Sequence, residues 1–459
     1  MKNTAKSMEK ITSLLKRRGF IYPGSLIYGG LQNTFDYGPL GVEMKKNIKD
    51  EWWNRFVRRR SDIVGLDSAI LMNTKVWEAS GHLAEFSDPL VEDKITHERF
   101  RLDHLLEQAG TKIGGLSFEQ MIEKMKGKNI KSPNGNELTD PRKFNLMLKT
   151  SLGATLETSS DIYLRPETAQ GMFVDFKQIL ESTRKKIPFG VAQIGKAFRN
   201  EITPGNFIFR TREFEQMEIE YFILPPKEDK EWMEVFNTWQ KEMEKWIEDL
   251  GILGSDIHIL DVPEGERAHY SKKTIDFEYE FPFGVKELYG LAYRGDFDLQ
   301  NHIRESGQDL SFVDEDGKKF VPHVIEPTFG VDRTMLAVLV SAYDEERVEG
   351  EVRTVLRLPN WLSPIKVAVL PLSKKEELIN LCEDVLRELS DLGIISEIDI
   401  TQSIGKRYRR FDEIGTPYCV TVDFDTLEDK KVTVRDRDTM KQERVALTGL
   451  GKYLKEKVF

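Results

Sequence analysis

Cysteine is nearly absent: the chain holds two, Cys382 and Cys419, far apart in sequence. That excludes a disulfide scaffold and a structural zinc site built from four cysteines, and it fits a reducing, cytoplasmic compartment. No apolar run approaches the ~20 residues that cross a bilayer, so no membrane association is expected. The opening stretch MKNTAKSMEKITSLLKRRGF is charged throughout and reads as no secretory leader. Neither a GxGxxG turn nor a P-loop is present, and there is no internal repeat or low-complexity tract. None of the seven histidines falls at metal-ligand spacing with a second His or Cys. Positive charge is short as well. The 67 Lys and Arg against 77 Asp and Glu give a net charge of −10, which argues against a protein that coats nucleic acid indiscriminately. A specific nucleic-acid partner stays open, because the local placement of charge decides it.

What is present is the balance of a soluble globular protein: 459 residues, 39% hydrophobic and 31% charged. At ~150 residues per domain, two or three domains are expected. Leu40, Met44, Ile48 and Trp52 fall at i, i+4 spacing and predict a helix over 40–60, followed by a strand over 62–71. Residues 105–150 are rich in Gly and Lys, carry the turn signal Ser132-Pro133-Asn134-Gly135, and read as an insertion. Residues 188–222 read as a hairpin around Thr203-Pro204-Gly205-Asn206. A helix is expected over 228–250, short strands over 275–300, and strand, Gly turn and helix over 323–342. Leu358-Pro359-Asn360-Trp361-Leu362-Ser363-Pro364 reads as a linker, dividing the chain into 1–360 and 365–459. Beyond it strands alternate with helices, which predicts a small α/β unit. Its basic helix, over 405–414, carries Lys406, Arg407, Arg409 and Arg410.

The second hairpin strand is the most informative segment. Alternation along a strand places Arg210, Arg212, Phe214, Gln216, Glu218 and Glu220 on one face. The matching face of the first strand is Gln193, Gly195, Ala197, Arg199 and Glu201. Such alternation is most often a solvated face. Here small residues leave room above the sheet, and the guanidinium groups, aromatic ring and carboxylates suit a nucleoside triphosphate beside an amino acid.

Phe198-Arg199-Asn200-Glu201 followed by Arg210-Thr211-Arg212-Glu213-Phe214 resembles motif 2 of the class II aminoacyl-tRNA synthetases, and Gly330-Val331-Asp332-Arg333 resembles motif 3. RRGFIYPGSLIYGGLQNTFDYGPLG, KVWEASGHL and YLRPETAQGMF are similar to segments of the homodimeric, bacterial type of glycyl-tRNA synthetase, and VTVRDRDTM is similar to that family's anticodon-binding domain. The resemblance spans essentially the whole chain. It implies an α+β fold, an antiparallel sheet flanked by helices, with a C-terminal α/β anticodon-binding domain. It implies a cytoplasmic homodimer that activates glycine with ATP and Mg²⁺, without zinc, and transfers it to the 3′ end of tRNA(Gly). Two readings stand beside it: a class II synthetase for another small amino acid, or a non-catalytic nucleic-acid-binding relative.

The resemblance also implies roles. Arg199 meets the α-phosphate and the amino-acid carboxylate, and Glu201 accepts from the adenine amino group. Arg210 holds the γ-phosphate, Phe214 stacks on adenine, and Arg333 approaches from the opposite side, with Arg199 and Arg333 catalytic. Asn200, Phe209, Thr211, Arg212 and Glu213 complete the ATP contacts on the hairpin. Glu287, which also reaches magnesium through ATP, Leu288, Gly330, Val331 and Asp332 supply the rest. The glycine site takes Arg101, Glu167, the run Phe214, Glu215, Gln216, Met217 and Glu218, and the run Glu326, Pro327, Thr328, Phe329 and Gly330. Lys406, Arg407, Arg409 and Arg410 would meet tRNA. The chain departs from the family at Thr328, usually Ser, at Thr74, often Pro, and at Ser132-Pro133-Asn134-Gly135, where many relatives carry a CPxCG-like segment.

Overall fold

The computed structural model describes residues 7–113, 116–153, 160–202, 205–268 and 270–459. Thr203 and Pro204 of the hairpin turn and His269 lie outside the described residues. The body is built on one seven-stranded sheet. Its strands are β1 (Ile63–Gly65), β2 (Phe189–Phe198), β3 (Glu213–Ile223), β4 (Ile257–Asp261), β5 (Lys273–Phe281), β6 (Gly284–Gly295) and β7 (His323–Gly330), in the spatial order β4-β5-β6-β7-β3-β2-β1. Every neighbouring pair is antiparallel except β1 and β2. The α+β class read from the sequence is the class found.

Residue alternation decides what each face of the sheet meets. Met217, Ile219 and Tyr221 point to one side, where α1 (Pro39–Trp53) and α2 (Asp229–Asp249) pack. There Trp52, Phe56, Tyr289 and Phe329 interleave at ring separations of 4.9–5.7 Å. The Trp246 indole N–H donates to the Tyr289 hydroxyl at 3.2 Å, which gives a buried polar group its partner. On the other side Phe222 packs with Phe173 and Phe176, and Gln216, Glu218 and Glu220 stand in the space between. The strand expected over 62–71 is only the three residues of β1, and Thr74 opens a short helix, Thr74–Ala79, capped by Asn73. The register needs no more, since among the described residues β1 pairs only with Gly190–Ala192.

The expected insertion starts earlier than 105. Strands Ser87–Glu92, Arg99–Arg101 and Arg142–Asn145 form a separate small sheet, and Val91, Leu102, Leu105, Leu106 and Leu138 give it a core of its own. A polar knot closes it. The buried carboxylate of Asp93 accepts from the Ser132 hydroxyl at 2.6 Å, the Asn136 amide and the backbone N–H groups of Ile95 and Thr96.

The C-terminal unit holds β8 (Val367–Pro371), β9 (Ser396–Ile398), β10 (Tyr418–Val422), β11 (Lys431–Asp436) and β12 (Gln442–Ala446), in the order β9-β8-β10-β11-β12. The first three run parallel, as βαβ crossovers require, and the last two return antiparallel. The segment 358–364 is no loose tether. Leu358 and Leu362 are buried, Ser363 donates to the Gly415 carbonyl at 2.6 Å, and the apolar core runs on into Phe411, Ile414 and Cys419. An ionic network crosses the same boundary. Asp412 is fully buried and accepts from Arg353 of the hairpin Tyr343–Leu356 and from Arg435.

Candidate functional site

A cleft of about 360 Å³ opens above the site face of β3. The hairpin builds its floor. Phe214 pairs with Ala197, Gln216 with Gly195 and Glu218 with Gln193, so the two faces read from the sequence do coincide. Position 195 has to be glycine: a Cβ there would lie 2.1 Å from the Arg165 guanidinium. Arg199 stands between the rings of Phe86 and Phe214, at 5.3 and 5.2 Å, and its Nε donates to the Pro166 carbonyl at 3.0 Å. Glu201 lies 3.8 Å from the Arg210 guanidinium at the same end.

The opposite wall comes from β6, β7 and α4 (Val331–Ala342), once α3 (Phe297–Ser306) has been passed. Arg333, at the N-terminal turn of α4, covers the Phe209 ring at 4.6 Å and reaches the Glu287 carboxylate at 3.1 Å. Arg333 in turn holds the Glu287 carboxyl below its ordinary range. Asp276, beside it in the cleft, is pushed up to about 7 by burial and by Glu287 and Glu278. These hard oxygen donors are the type magnesium takes.

Deeper in, Glu167, Glu218 and Glu326 converge. The Thr328 hydroxyl stands 3.1 Å from both Glu218 and Glu326, and Thr168 donates to the other oxygen of Glu218. Arg294 donates to Glu326 at 2.7 Å and to both oxygens of Asp298, while its guanidinium covers the Tyr270 ring at 3.7 Å. The His82 Nε2 lies 3.2 Å from Glu167, and Gln170 donates to that carboxylate at 3.0 Å. Burial works against an ionised Glu167, but His82, Arg294 and the Gln170 amide together outweigh it and keep the carboxyl low.

Several residues expected at the site point elsewhere, for reasons of strand and helix geometry. Met217, Phe329, Leu288 and Val331 bury their side chains in the core, and Pro327 lies on the same wrong face of β7. They can offer a ligand only backbone. Glu213 is an outward residue paired with Lys196 at 2.7 Å. Arg212 turns away to the Gln32 carbonyl at 3.1 Å. The backbone N–H of Asn200 is taken by the Leu146 carbonyl. Glu215 and Asp332 do line the cleft, but both are also committed to Lys45, at 2.6 and 2.9 Å, and Asp332 accepts from Tyr37 and the Glu215 N–H, so they lock α1, β3 and α4 together. Arg101 is held by Asp88 and Asp103, and feels Glu201. Phe209, Thr211, Gln216 and Gly330 line the cleft with the groups already placed.

The basic helix divides likewise. α5 (Glu376–Asp391) precedes α6 (Ile404–Glu413), in which Arg407 shares the inward face with Ile404 and Phe411. It is buried and donates to the carbonyls of Pro371 and Asp399. Arg410 is paired with Asp399. Exposed Lys406 and half-exposed Arg409 have no ion pair among the described residues.

His82, Thr168, Gln170, Arg294, Asp298 and Asp276 escaped the sequence reading. Arg294 left a signal, a charge at the end of the apolar strand run Leu288–Tyr293 with Asp298 four residues on. His82 lies in KVWEASGHL, a stretch that carried the resemblance, but its meeting with Glu167 is purely tertiary.

Two family models match the chain, "tRNA synthetase class II core domain (G, H, P, S and T)" over residues 154–342 and "Anticodon binding domain" over 366–457. The chain is 52% identical to the glycine–tRNA ligase of Caldanaerobacter subterraneus, covering 98% of each. It is 54% identical to that of Clostridium acetobutylicum, covering 99% of each, and 50% identical to that of Bacillus cereus, covering 98% of this chain and 99% of the relative. Among solved structures it is similar to prolyl-tRNA synthetase from Cryptosporidium parvum complexed with L-proline and AMP. That match has a TM-score of 0.62 and 16% identity, and it covers 97% of this chain and 77% of the other, a likeness of fold.

Proposed function

Since the chain belongs to the glycine–tRNA ligase family of class II synthetases, and joins glycine to tRNA at the expense of ATP, we propose how its cleft divides the work. Glycine enters with its ammonium among Glu167, Glu218 and Glu326 and its carboxylate toward Arg199. ATP lies along Arg199, Phe214 and Arg333, with the adenine at Glu201 and the γ-phosphate at Arg210. Glu287, with Asp276 and Glu278 beside it, would hold magnesium, which supplies charge neutralisation on the phosphates. The carboxylate oxygen of glycine attacks the α-phosphorus, and pyrophosphate leaves. Arg199 meets the charge that grows there, and Arg333 steadies the departing side. The tRNA terminal hydroxyl then attacks the glycyl carbonyl and AMP leaves. No protein nucleophile is called for. The observation that carries this reading is the convergence of three carboxylates beside a row of arginines in one cleft.

Glycine is the smallest amino acid, so every competitor can be refused by bulk and nothing smaller need be rejected. Of the twenty amino acids, glycine alone is expected to stimulate exchange of pyrophosphate into ATP. Comparable stimulation by serine or alanine would sink the assignment.

We further propose that the protein is of the bacterial type, homodimeric and cytoplasmic, with a catalytic unit over 1–360 and an anticodon-reading unit over 365–459. Light scattering should return about twice the 53.1 kDa chain mass. The tRNA contacts fall to Lys406 and Arg409, because Arg407 is buried and Arg410 is paired with Asp399. Replacing Lys406 and Arg409 by Gln should leave pyrophosphate exchange unchanged, weaken tRNA binding, and lower the salt slope by about 1–2, since fewer counterions are released. An unaltered slope would move RNA recognition to another surface.

A further inference from the structure

The acidic end of the cleft carries more carboxyl groups than its cations can balance. Glu218 faces Glu220 on its own strand, Glu326 on β7, and Glu167 from the segment before the helix Ala169–Val174. Asp298 of α3 stands behind them. Against these stand Arg294, His82 and Arg165. Arg294 is already shared between Asp298 and Glu326. His82 is turned to Glu167. The Arg165 guanidinium donates to the carbonyls of Lys196 and Ser68. The phenol of Tyr270 also faces the group, beneath Arg294.

Hydrogen counting gives a second, independent sign. The Thr328 hydroxyl stands at 3.1 Å from an oxygen of Glu218 and at 3.1 Å from an oxygen of Glu326. A hydroxyl has one proton to give. With both carboxyls ionised, one of these two contacts would set lone pair against lone pair. One carboxyl proton removes the conflict, because that carboxyl then donates to the Thr328 oxygen or to its neighbour. Glu220 is the more extreme case. It is fully buried, neither oxygen has a hydrogen-bond partner among the described residues, and it does not line the cleft. An ionised carboxylate with no donor in such a place is strongly disfavoured.

We propose that in the glycine-free protein the Glu218–Glu326 pair holds one proton, and that the ammonium group of glycine displaces it to solvent on binding. This rests on the reading of the site as the glycine pocket. The carboxyl O–H breaks with both electrons left on oxygen, the proton passes to the buffer, and the ammonium donates to the freed carboxylates with its own three hydrogens. Substrate and proton thus compete for one place. Glu220, out of the ligand's reach, keeps its proton throughout and limits how much negative charge the ammonium meets. The direction agrees with the environment: burial, then Glu326 and Glu167, push the Glu218 carboxyl up to about 8, and burial and Glu326 push Glu220 well above the carboxylate range.

The test is calorimetry on the full chain with 5′-O-(glycylsulfamoyl)adenosine, a stable mimic of the adenylate, and with its glycolyl counterpart, which carries a hydroxyl in place of the ammonium. Between pH 6 and 7 the ammonium remains charged. Titrations in buffers of different ionisation enthalpy then count the protons released. About one proton per site is expected for the glycyl compound and about none for the glycolyl compound. Affinity for the glycyl compound should rise about tenfold from pH 6 to 7. Glu218→Gln, which copies the neutral carboxyl in shape, should fold, bind more weakly and release no proton. Binding of the glycyl compound without proton release, equal release with both compounds, or undiminished release in Glu218→Gln would overturn the inference. Failure of the glycyl compound to bind, or affinity unchanged by Glu167→Gln and Glu326→Gln, would instead remove the glycine-pocket reading on which it rests.

Discussion

Replacing Arg199 by Ala should lower the rate of adenylate formation about 10²- to 10³-fold with the fold intact. Its guanidinium is placed by contacts that hold its plane and leave its reach free. Phe86 and Phe214 flank it, and Nε is fixed on the Pro166 carbonyl. Its remaining N–H groups make no hydrogen bond among the described residues and are available to a phosphate oxygen. In the proposed mechanism the charge they would meet grows during attack on the α-phosphorus, so the loss should appear in kcat and not in KM alone. Arg199→Lys should recover little, because an ammonium cannot make the paired, planar contacts of a guanidinium between two rings. Pyrophosphate exchange reads the effect, and a circular dichroism spectrum matching the parent checks the fold. A folded variant with near-parental exchange would end the assignment.

A second large effect should come from a residue far from the chemistry. Asp412→Ala is expected to cost about 3–5 kcal/mol of stability. The carboxylate accepts from Arg353 Nε at 2.8 Å and from both terminal nitrogens of Arg435 at 2.9 and 3.1 Å. Arg353 and Asp412 are fully buried, so removing the acid leaves the Arg435 guanidinium without its counter-charge and Arg353 with Glu346 alone. Asp412→Asn keeps the shape and one acceptor and should cost less. Denaturant unfolding measures both, and a loss under ~1 kcal/mol for the alanine variant would mean that water or Glu346, which also contacts Arg353, takes over. Because the network joins the body to the C-terminal unit, tRNA charging should suffer more than pyrophosphate exchange.

What could be read in advance follows the range of the interactions involved. The hairpin face was legible because strand alternation is a local rule, and Phe214, Gln216 and Glu218 do sit over Ala197, Gly195 and Gln193. Taking 214–218 and 326–330 as whole runs ignored that same rule, and the inward residues Met217 and Phe329 are the result. Helix periodicity could likewise have set Arg407 apart from Lys406, since 404, 407 and 411 fall on one stripe. Glu215 and Asp332 look like site residues until Lys45 of α1, remote in sequence, arrives to claim them. His82 on Glu167 and Arg294 on Glu326 are of this kind too: only the closed fold brings them together. The packing around the linker was not legible, because prolines mark a break in regular structure and say nothing of what packs against it.

The junction at 358–364 has a bearing on how such a protein can be recombined. Its two sheets look like interchangeable modules, and a graft made at the prolines would be the natural design. The seam of the packing, however, runs elsewhere in the chain. A transplanted C-terminal unit would have to bring an acid to meet Arg353 and apolar groups equivalent to Phe411 and Ile414 to meet Leu358. The workable crossover point therefore lies upstream of Tyr343, so that the hairpin Tyr343–Leu356 travels with the unit it is bound to.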